Sequence, residues 1–229
     1  MPASLTSIFA SLKHHFGDLH WWPADHPFEV AVGAILTQNT AWTNVEQAIA
    51  NLKAARALSP AEMLMLGRSE LETLIRPAGF FRQKTDYLLR FSSFLVEHCD
   101  GNVANLCQGT LDTARRRLLA LKGIGPETAD SILLYAAHRP SFVVDAYTRR
   151  IFARLGLLRG NESYASIRAM FMEILPPDAG LYNEYHALIV QLAKTLCRKH
   201  KPLCNRCPLV SDCPCGQMEG QQPASKLPR

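Results

Sequence analysis

The sequence predicts an all-α fold, and two patterns support that prediction. Apolar residues recur at helical spacing through most of the 229 residues, and no segment shows the alternation that is typical of β-strands. In addition, two helical patterns around residues 121–130 are separated by only Gly-Ile-Gly-Pro. Glycine allows positive φ and proline suits the first turn of a helix, so a tight helical hairpin is expected there. An ordinary corner between two helices would also fit this composition.

The other elements are predicted in order from the same periodicity. Residues 28–37 are apolar nearly all round, so we expect a buried central helix there. Residues 79–84 are expected to form a turn, and the polar residues 217–229 a loosely held tail. Helices are expected at residues 1–20, 28–37, 42–52, 60–66, 70–75, 85–98, 112–120, 129–137, 146–155 and 182–196.

Charge and composition restrict the class of protein. The net charge of +5 permits a polyanionic partner without requiring one. No apolar stretch is long enough to cross a bilayer, and the N-terminal residues lack the apolar centre of a signal peptide. We therefore expect a cytoplasmic protein without a membrane partner.

Five of the seven cysteines fall between residues 197 and 215, which indicates a metal site in a cytoplasmic chain. Four of them have the spacing Cys-x6-Cys-x2-Cys-x5-Cys. Four thiolates this close together suit a tetrahedral zinc ion or a [4Fe–4S] cluster, and spacing alone does not separate the two. These candidate ligands are Cys197, Cys204, Cys207 and Cys213.

Asp145 follows the short apolar run 141–144 and precedes a helical pattern. Aspartate is a good N-cap, so a structural role is possible for it. However, a helical hairpin, an apolar segment and an aspartate at a helix start together resemble the endonuclease III, or helix-hairpin-helix–Gly/Pro-Asp, superfamily of DNA glycosylases. The resemblance runs from about residue 27 to residue 213, and it implies that Asp145 is the catalytic carboxylate. One residue can serve both roles.

The resemblance also implies the domain organisation and the cofactor. It implies two lobes, a six-helix barrel with the hairpin at residues 21–139 and a second lobe from residues 1–20 and 140–216, with the active site between them. Because the cysteine spacing equals that of the family, it implies a [4Fe–4S] cluster rather than zinc. The expected partner is double-stranded DNA with a damaged base, bound by a monomer that in a bacterium would associate with the nucleoid.

The resemblance assigns DNA-contacting roles to several loops. Asn39 or Gln38 would fill the gap left by a flipped base, although Asn39 could equally end a helix. Phe80 would be an apolar wedge, although without the resemblance we would interpret it as a core residue. The resemblance implies phosphate contacts for Arg82 and Lys84. Independently of it, the exposed amides at a helix start predict a phosphate contact at Gly123, Ile124 and Gly125. The basic loop predicts another at Arg198, Lys199 and Lys201.

Two departures from the best-known members define the predicted subclass. Bifunctional members carry a lysine that forms a Schiff base at the position of Glu127, and a carboxylate cannot form an imine. Trp21, Trp22, Pro23 and Trp42 resemble the base pocket of the branch that removes 3-methyladenine. The resemblance therefore implies a monofunctional glycosylase for N-alkylated purines. The alternatives are a glycosylase for oxidised or mismatched bases, with or without weak lyase activity, and a non-catalytic DNA-binding iron–sulfur protein.

Overall fold

The computed structural model describes residues 4–19, 21–22 and 24–220, and every regular element in those residues is helical. The predicted all-α class is therefore confirmed. No helix among them is both long enough and apolar enough to span a membrane. The α-helices are α1 (Leu5–Phe16), α2 (Pro27–Leu36), α3 (Trp42–Ala54), α4 (Pro60–Met65), α5 (Arg68–Leu74), α6 (Phe81–His98), α7 (Val103–Leu106), α8 (Leu111–Leu119), α9 (Pro126–Ser131), α10 (Ala146–Arg154), α11 (Tyr164–Ile174), α12 (Ala179–Thr195) and α13 (Pro214–Gly220).

Short helices of other types complete the chain. A π-helix, Ile132–Ala136, continues directly from α9, and 3₁₀-helices occupy Arg76–Ala78, Cys204–Arg206 and Val210–Asp212. The chain divides into two compact units, one from Trp22–Ser141 and the other from the described parts of Met1–Trp21 and Phe142–Arg229. We call them the hairpin unit and the cysteine unit.

The hairpin unit is built around α2, as its composition predicts. Every residue from Phe28 to Leu36 is buried, because α3, α6, α9 and the π-helix all pack against this helix. His26 caps its N-terminus by accepting the Glu29 amide hydrogen through Nδ1. Burying an apolar side chain stabilises the fold by about 1.5–3 kcal/mol, so the buried residues of α2 contribute strongly to the stability of this unit.

The cysteine unit is organised around α12, which packs on α1 and α10. The Tyr185 hydroxyl on α12 donates to the Leu5 carbonyl at 2.8 Å, which ties the N-terminal helix to this unit. Phe142 stacks on Phe171 with their ring centroids 3.9 Å apart, and Phe152 lies edge-on to Phe171. This aromatic core fixes the segment that leads into α10.

Several boundaries differ from the sequence prediction for identifiable reasons. Helix α1 ends at Phe16 because Gly17 adopts a φ of 73°. Helix α6 begins at Phe81 and not near residue 85, because Gly79 and Phe80 both have positive φ and complete the turn early. Helix α11 was not predicted. Residues 217–220, assigned to the tail by composition, form the end of α13, and residues 221–229 lie outside the described residues.

Candidate functional site

The hairpin between α8 and α9 is a tight turn that requires glycine at one position. Gly123 has a φ of 97°, and the Tyr87 ring of α6 lies where a Cβ would be placed. Ile124 is 5% exposed, and its amide donates to the Leu121 carbonyl at 3.0 Å. The Ile124 side chain therefore anchors the hairpin in the core. Gly125 is exposed and begins α9.

The turn between α2 and α3 is bonded to the hairpin through Gln38. Its Nε2 donates to the Gly123 carbonyl at 3.0 Å and to Thr128 Oγ1 at 3.2 Å. Gln38 is therefore a support for the hairpin in this structure. Asn39 is exposed at the tip of the turn with a φ of 54°, a conformation that asparagine tolerates better than most residues.

The second exposed tip is Phe80. Phe80 is 65% exposed and has a φ of 47°, and both values are unusual for phenylalanine. The alternative interpretation of Phe80 as a core residue is therefore wrong. Arg82 is also exposed, with its guanidinium carbon 5.9 Å from the centroid of the Phe81 ring.

Lys84 does not lie on this surface, which corrects its predicted role as a phosphate contact. It is 2% exposed, and its Nζ donates to the carbonyls of Leu36 and Ala78, each at 2.8 Å. Burial lowers the pKa of Lys84 to about 8. The physical reason is its position on α6, where the early start of the helix turns this residue towards α2.

The predicted base-pocket residues have different surroundings. Trp22 lies edge-on to Trp42, with ring centroids 4.9 Å apart, and 5.0 Å from the ring of Tyr135. A Cβ added at Gly33 would lie 3.2 Å from the Trp22 ring, so glycine lets this indole approach α2 closely. Trp21 belongs to the cysteine unit, where Lys194 Nζ lies 5.4 Å from its ring centroid. Pro23 lies outside the described residues.

Tyr135 is a member of this cluster that the sequence analysis missed. It lies on the π-helix and is 5% exposed. Its neighbours in the sequence are apolar, so the helical pattern indicated only a core position. Single π-turns often occur at functional sites, which makes Tyr135 a candidate pocket residue.

Asp145 is the N-cap of α10 and is held by several contacts. Its Oδ1 accepts the Thr148 amide hydrogen at 2.7 Å and the Thr148 hydroxyl at 2.9 Å. His186 Nε2, on α12, lies 3.5 Å from Oδ2. Burial raises the pKa of Asp145, but His186 and Thr148 more than offset it, so the pKa lies below its usual value. The result is a carboxylate that stays ionised although it is largely buried.

The capping and catalytic interpretations of Asp145 are thus compatible. Only one of its two oxygens caps the helix, and the other faces His186. His186 is buried and was not identified from the sequence, because a single histidine in an apolar helix is usually a core residue. Glu127 is exposed in the first turn of α9.

The four predicted cysteine ligands line one small cavity. The other residues that line it are Arg154, Leu196, Val210, Cys215 and Gly216. The Arg154 guanidinium donates to Cys197 Sγ at 3.2 Å and to the Arg198 carbonyl at 2.7 Å. Within the described ranges, no group of three or more His, Cys, Asp or Glu side chains is arranged to hold a single metal ion.

The arginines of α10 hold the cysteine loop. Arg150 donates to the carbonyls of Ala193 and Cys197, and Arg154 also donates to the Lys199 carbonyl. Through these hydrogen bonds α10 fixes the backbone beneath a basic surface. That surface consists of the exposed side chains Arg198, Lys199, His200 and Lys201.

Comparisons with known proteins place this geometry in a family. The model of the HhH-GPD superfamily of base excision DNA repair proteins matches residues 32–177. A Methanocaldococcus jannaschii protein, provisionally named as a DNA repair glycosylase, is 48% identical over 208 residues, which cover 90% of this chain and 94% of that protein.

Solved structures share the fold. An endonuclease III–DNA complex matches with a TM-score of 0.82 at 22% identity, covering 96% of this chain and all of that chain. A 3-methyladenine DNA glycosylase from H. pylori, bound to 1,N6-ethenoadenine, matches with a TM-score of 0.73 at 28% identity, covering 84% of this chain and 98% of that one. The chain therefore belongs to the HhH-GPD superfamily of base excision DNA repair proteins, as an endonuclease III-like DNA glycosylase.

Proposed function

We propose that this glycosylase removes N-alkylated purines such as 3-methyladenine from double-stranded DNA, and that it leaves the abasic strand intact. The observation that carries the proposal is the cluster of Trp22, Trp42 and Tyr135. An N-alkylated purine nucleotide is positively charged, and electron-rich ring faces attract a cation by about 0.5–2 kcal/mol. The likeness to the H. pylori enzyme, at 28% identity, adds support.

An aromatic pocket suits this substrate because its glycosidic bond is already weak. Positive charge on the base makes it a good leaving group, so the pocket needs little acid catalysis. Selectivity then comes from stacking and from the low cost of flipping a damaged base. A pocket for a neutral oxidised base would instead need hydrogen-bonding groups aimed at the edge of the base.

In the proposed reaction Asp145 is the catalytic carboxylate. Departure of the base leaves positive charge on the sugar, and an ionised carboxylate stabilises it and orients the attacking water. The lowered pKa of Asp145 supports this assignment, because the carboxylate must be charged when the sugar becomes cationic. Water adds to the sugar carbon, its proton passes to solvent or base, and the products are the free base and an abasic site.

Because residue 127 is a glutamate, we propose that the enzyme does not cleave the DNA strand. A lyase reaction needs an amine that attacks the sugar and forms an imine. Glu127 occupies the position at which bifunctional members of the family carry that lysine, and it is exposed in the first turn of α9. Borohydride is therefore expected to trap no covalent complex with DNA, and strand breaks should appear only after hot alkali.

The four cysteines are proposed to hold a [4Fe–4S] cluster. Cys197, Cys204, Cys207 and Cys213 surround one cavity, and thiolates are the usual ligands of such clusters. The cluster would supply a rigid anchor for the loop that presents Arg198, Lys199 and Lys201 to DNA phosphates. Purified protein should then be yellow-brown with about four irons per chain, whereas stoichiometric zinc without iron would overturn the assignment.

Contacts with DNA are proposed for the exposed loop tips. Phe80 and Asn39 would fill the space left by the flipped nucleotide, because both are exposed at turns of the hairpin unit. Phosphates would be bound by Arg82, by the backbone around Gly123 and Gly125, and by the basic surface.

The proposal is tested by identifying the bases that the enzyme releases. Methylated genomic DNA is incubated with the unmodified protein and with Asp145→Asn, and free bases are separated by chromatography. Release of 3-methyladenine by the unmodified protein alone is expected. Release of oxidised or mismatched bases only would favour the alternative glycosylase, and release of nothing would favour a non-catalytic DNA-binding protein.

Trp42 provides a sharper test of the pocket. Trp42→Ala should reduce excision of 3-methyladenine at least tenfold, which corresponds to the loss of about 1.4 kcal/mol of stacking. Its affinity for a duplex with an abasic-site analogue should change little, because that duplex has no base to stack. Phe91→Leu, a core change in the same unit, is the matched control. Equal losses of excision and affinity in Trp42→Ala would make Trp42 a core residue only.

A further inference from the structure

Lys84 is a buried cation without a carboxylate partner among the described residues. Burial costs a lysine its hydration, and that cost is usually offset by a carboxylate. Here two main-chain carbonyls, of Leu36 and Ala78, accept from Nζ at 2.8 Å each. A methionine of similar length would fill the same space without that cost. The hydrogen bonds to both carbonyls are therefore what the charged side chain provides.

The two carbonyls lie just ahead of the two exposed tips. Leu36 is the last residue of α2, three residues before Asn39. Ala78 is the last residue of a 3₁₀-helix, two residues before Phe80. One ammonium group therefore joins the backbones that lead into both tips.

Both tips hold an uncommon backbone conformation. Asn39 and Phe80 have φ values of 54° and 47°, in the left-handed region that side chains other than glycine rarely adopt. Such conformations persist where the surrounding structure fixes them, and they concentrate at functional sites. The hydrogen bonds from Lys84 to the Leu36 and Ala78 carbonyls are contacts that help to fix both backbone conformations.

The first of these segments is also bonded to the hairpin. Gln38 follows Leu36 by two residues and donates to the Gly123 carbonyl at 3.0 Å. Lys84 therefore connects the Phe80 turn to a segment that is itself bonded to the hairpin. The connection lies entirely within the hairpin unit.

We propose that Lys84 is the positioning residue that sets the spacing of the Asn39 and Phe80 tips, so that both enter the gap in the duplex together. This inference rests on the proposed role of those two tips in filling that gap. Lys84 itself does not touch DNA and acts through the two backbone segments.

A double-mutant cycle on DNA affinity tests this coupling. The probe is a duplex that contains a tetrahydrofuran abasic-site analogue, and the measured quantity is its affinity relative to the same duplex undamaged. Lys84→Met is made in the unmodified chain and in the Asn39→Ala/Phe80→Ala chain. Two positions that act through one another show non-additive effects.

Lys84→Met is expected to reduce the preference for the abasic duplex about tenfold in the unmodified chain, and less than about twofold once both tips are truncated. Leu95→Ala is the control, since Leu95 is fully buried on the same helix, three turns away. It should lower thermal stability and leave the preference unchanged. Equal effects of Lys84→Met in both backgrounds, or no effect in a folded variant, would overturn the inference.

Lys84→Gln provides a second variant if Lys84→Met does not fold. Its amide retains hydrogen-bond donors but reaches less far, so one carbonyl at most keeps its partner. A reduced preference that disappears in the truncated background is again expected, and a preference equal to that of the unmodified chain would contradict the inference. Should truncating both tips itself leave the preference unchanged, the proposed gap-filling role fails, and this inference fails with it.

Discussion

Replacing Gly123 with alanine is expected to destabilise the protein strongly, whereas the same change at Gly125 is not. Gly123 has a φ of 97°, and its added Cβ would overlap the Tyr87 ring. Gly125 has a φ of −85°, and apart from its chain neighbours no described residue has a heavy atom within 4 Å of its added Cβ. The two glycines are two residues apart in one turn, so each is the control for the other.

The size of the effect follows from two costs. A left-handed backbone costs alanine about 1–2 kcal/mol relative to glycine. Overpacking against the Tyr87 ring adds about 1–3 kcal/mol, because the ring is also held by a hydrogen bond between its hydroxyl and Gln83. Gly123→Ala should therefore cost about 2–5 kcal/mol. Gly125→Ala should change the free energy of unfolding by no more than about 1 kcal/mol, because the reduced entropy of the unfolded chain is opposed by the poorer N-capping of alanine at the start of α9.

Urea denaturation followed by circular dichroism measures both changes. In a Tyr87→Ala background the overlap is removed, so Gly123→Ala should then cost only about 1–2 kcal/mol. The Gly125→Ala protein should in turn bind an abasic duplex more weakly, since its methyl group projects from the exposed turn. If Gly123→Ala were as stable as Gly125→Ala, or if its cost did not depend on Tyr87, the close packing of the hairpin on α6 would be refuted.

Three further predictions concern charged and sulfur groups. His186→Phe removes a contact that lowers the pKa of Asp145, so this pKa should rise. The acid limb of the pH profile of single-turnover excision should then move to higher pH, and an unchanged profile would contradict this. The pKa of Lys84 is lowered from 10.5 to about 8, so between pH 8 and pH 10 the unfolded chain binds more protons than the folded chain. The free energy of unfolding should therefore rise by about 2 kcal/mol over this range, relative to that of Lys84→Met. This difference is measured by urea unfolding at the two pH values, and a constant difference would show that burial does not lower the pKa of Lys84. Arg154→Ala removes a donor to Cys197 and to the following loop, so the proposed iron–sulfur cluster should lose iron to a chelator faster in this variant than in Lys194→Ala, measured by the decay of the visible absorbance.

The sequence predicted those features that depend on local pattern. The apolar run at residues 28–37 could only be a buried helix, because no polar face was available to solvent. Gly123 and Pro126 marked the hairpin because their backbone preferences suit a tight turn. The spacing of the four cysteines indicated a common site, and they do line one cavity.

The features that the sequence did not predict depend on contacts between distant residues. Lys84 resembles any basic residue after a turn, and its role depends on the Leu36 carbonyl, 48 residues away. Tyr135 lies in an apolar run whose π-turn has no composition of its own. His186 is recognisable only once α12 places it beside Asp145. The start of α6 was predicted too late because phenylalanine rarely adopts a positive φ, so the early turn at Phe80 was not expected.

Helix α10 connects the cysteine loop to Asp145, the proposed catalytic carboxylate. Asp145 caps one end of this helix and Arg154, which grips the backbone after Cys197, lies at the other. At 1.5 Å per residue the two ends are about 13 Å apart, and a helix this short moves as one rigid piece. A displacement of the cysteine loop should therefore shift the Asp145 carboxylate. Under the proposed function, the order of that loop would thus set how precisely the carboxylate is placed, without any electron leaving the group that the cysteines are proposed to hold.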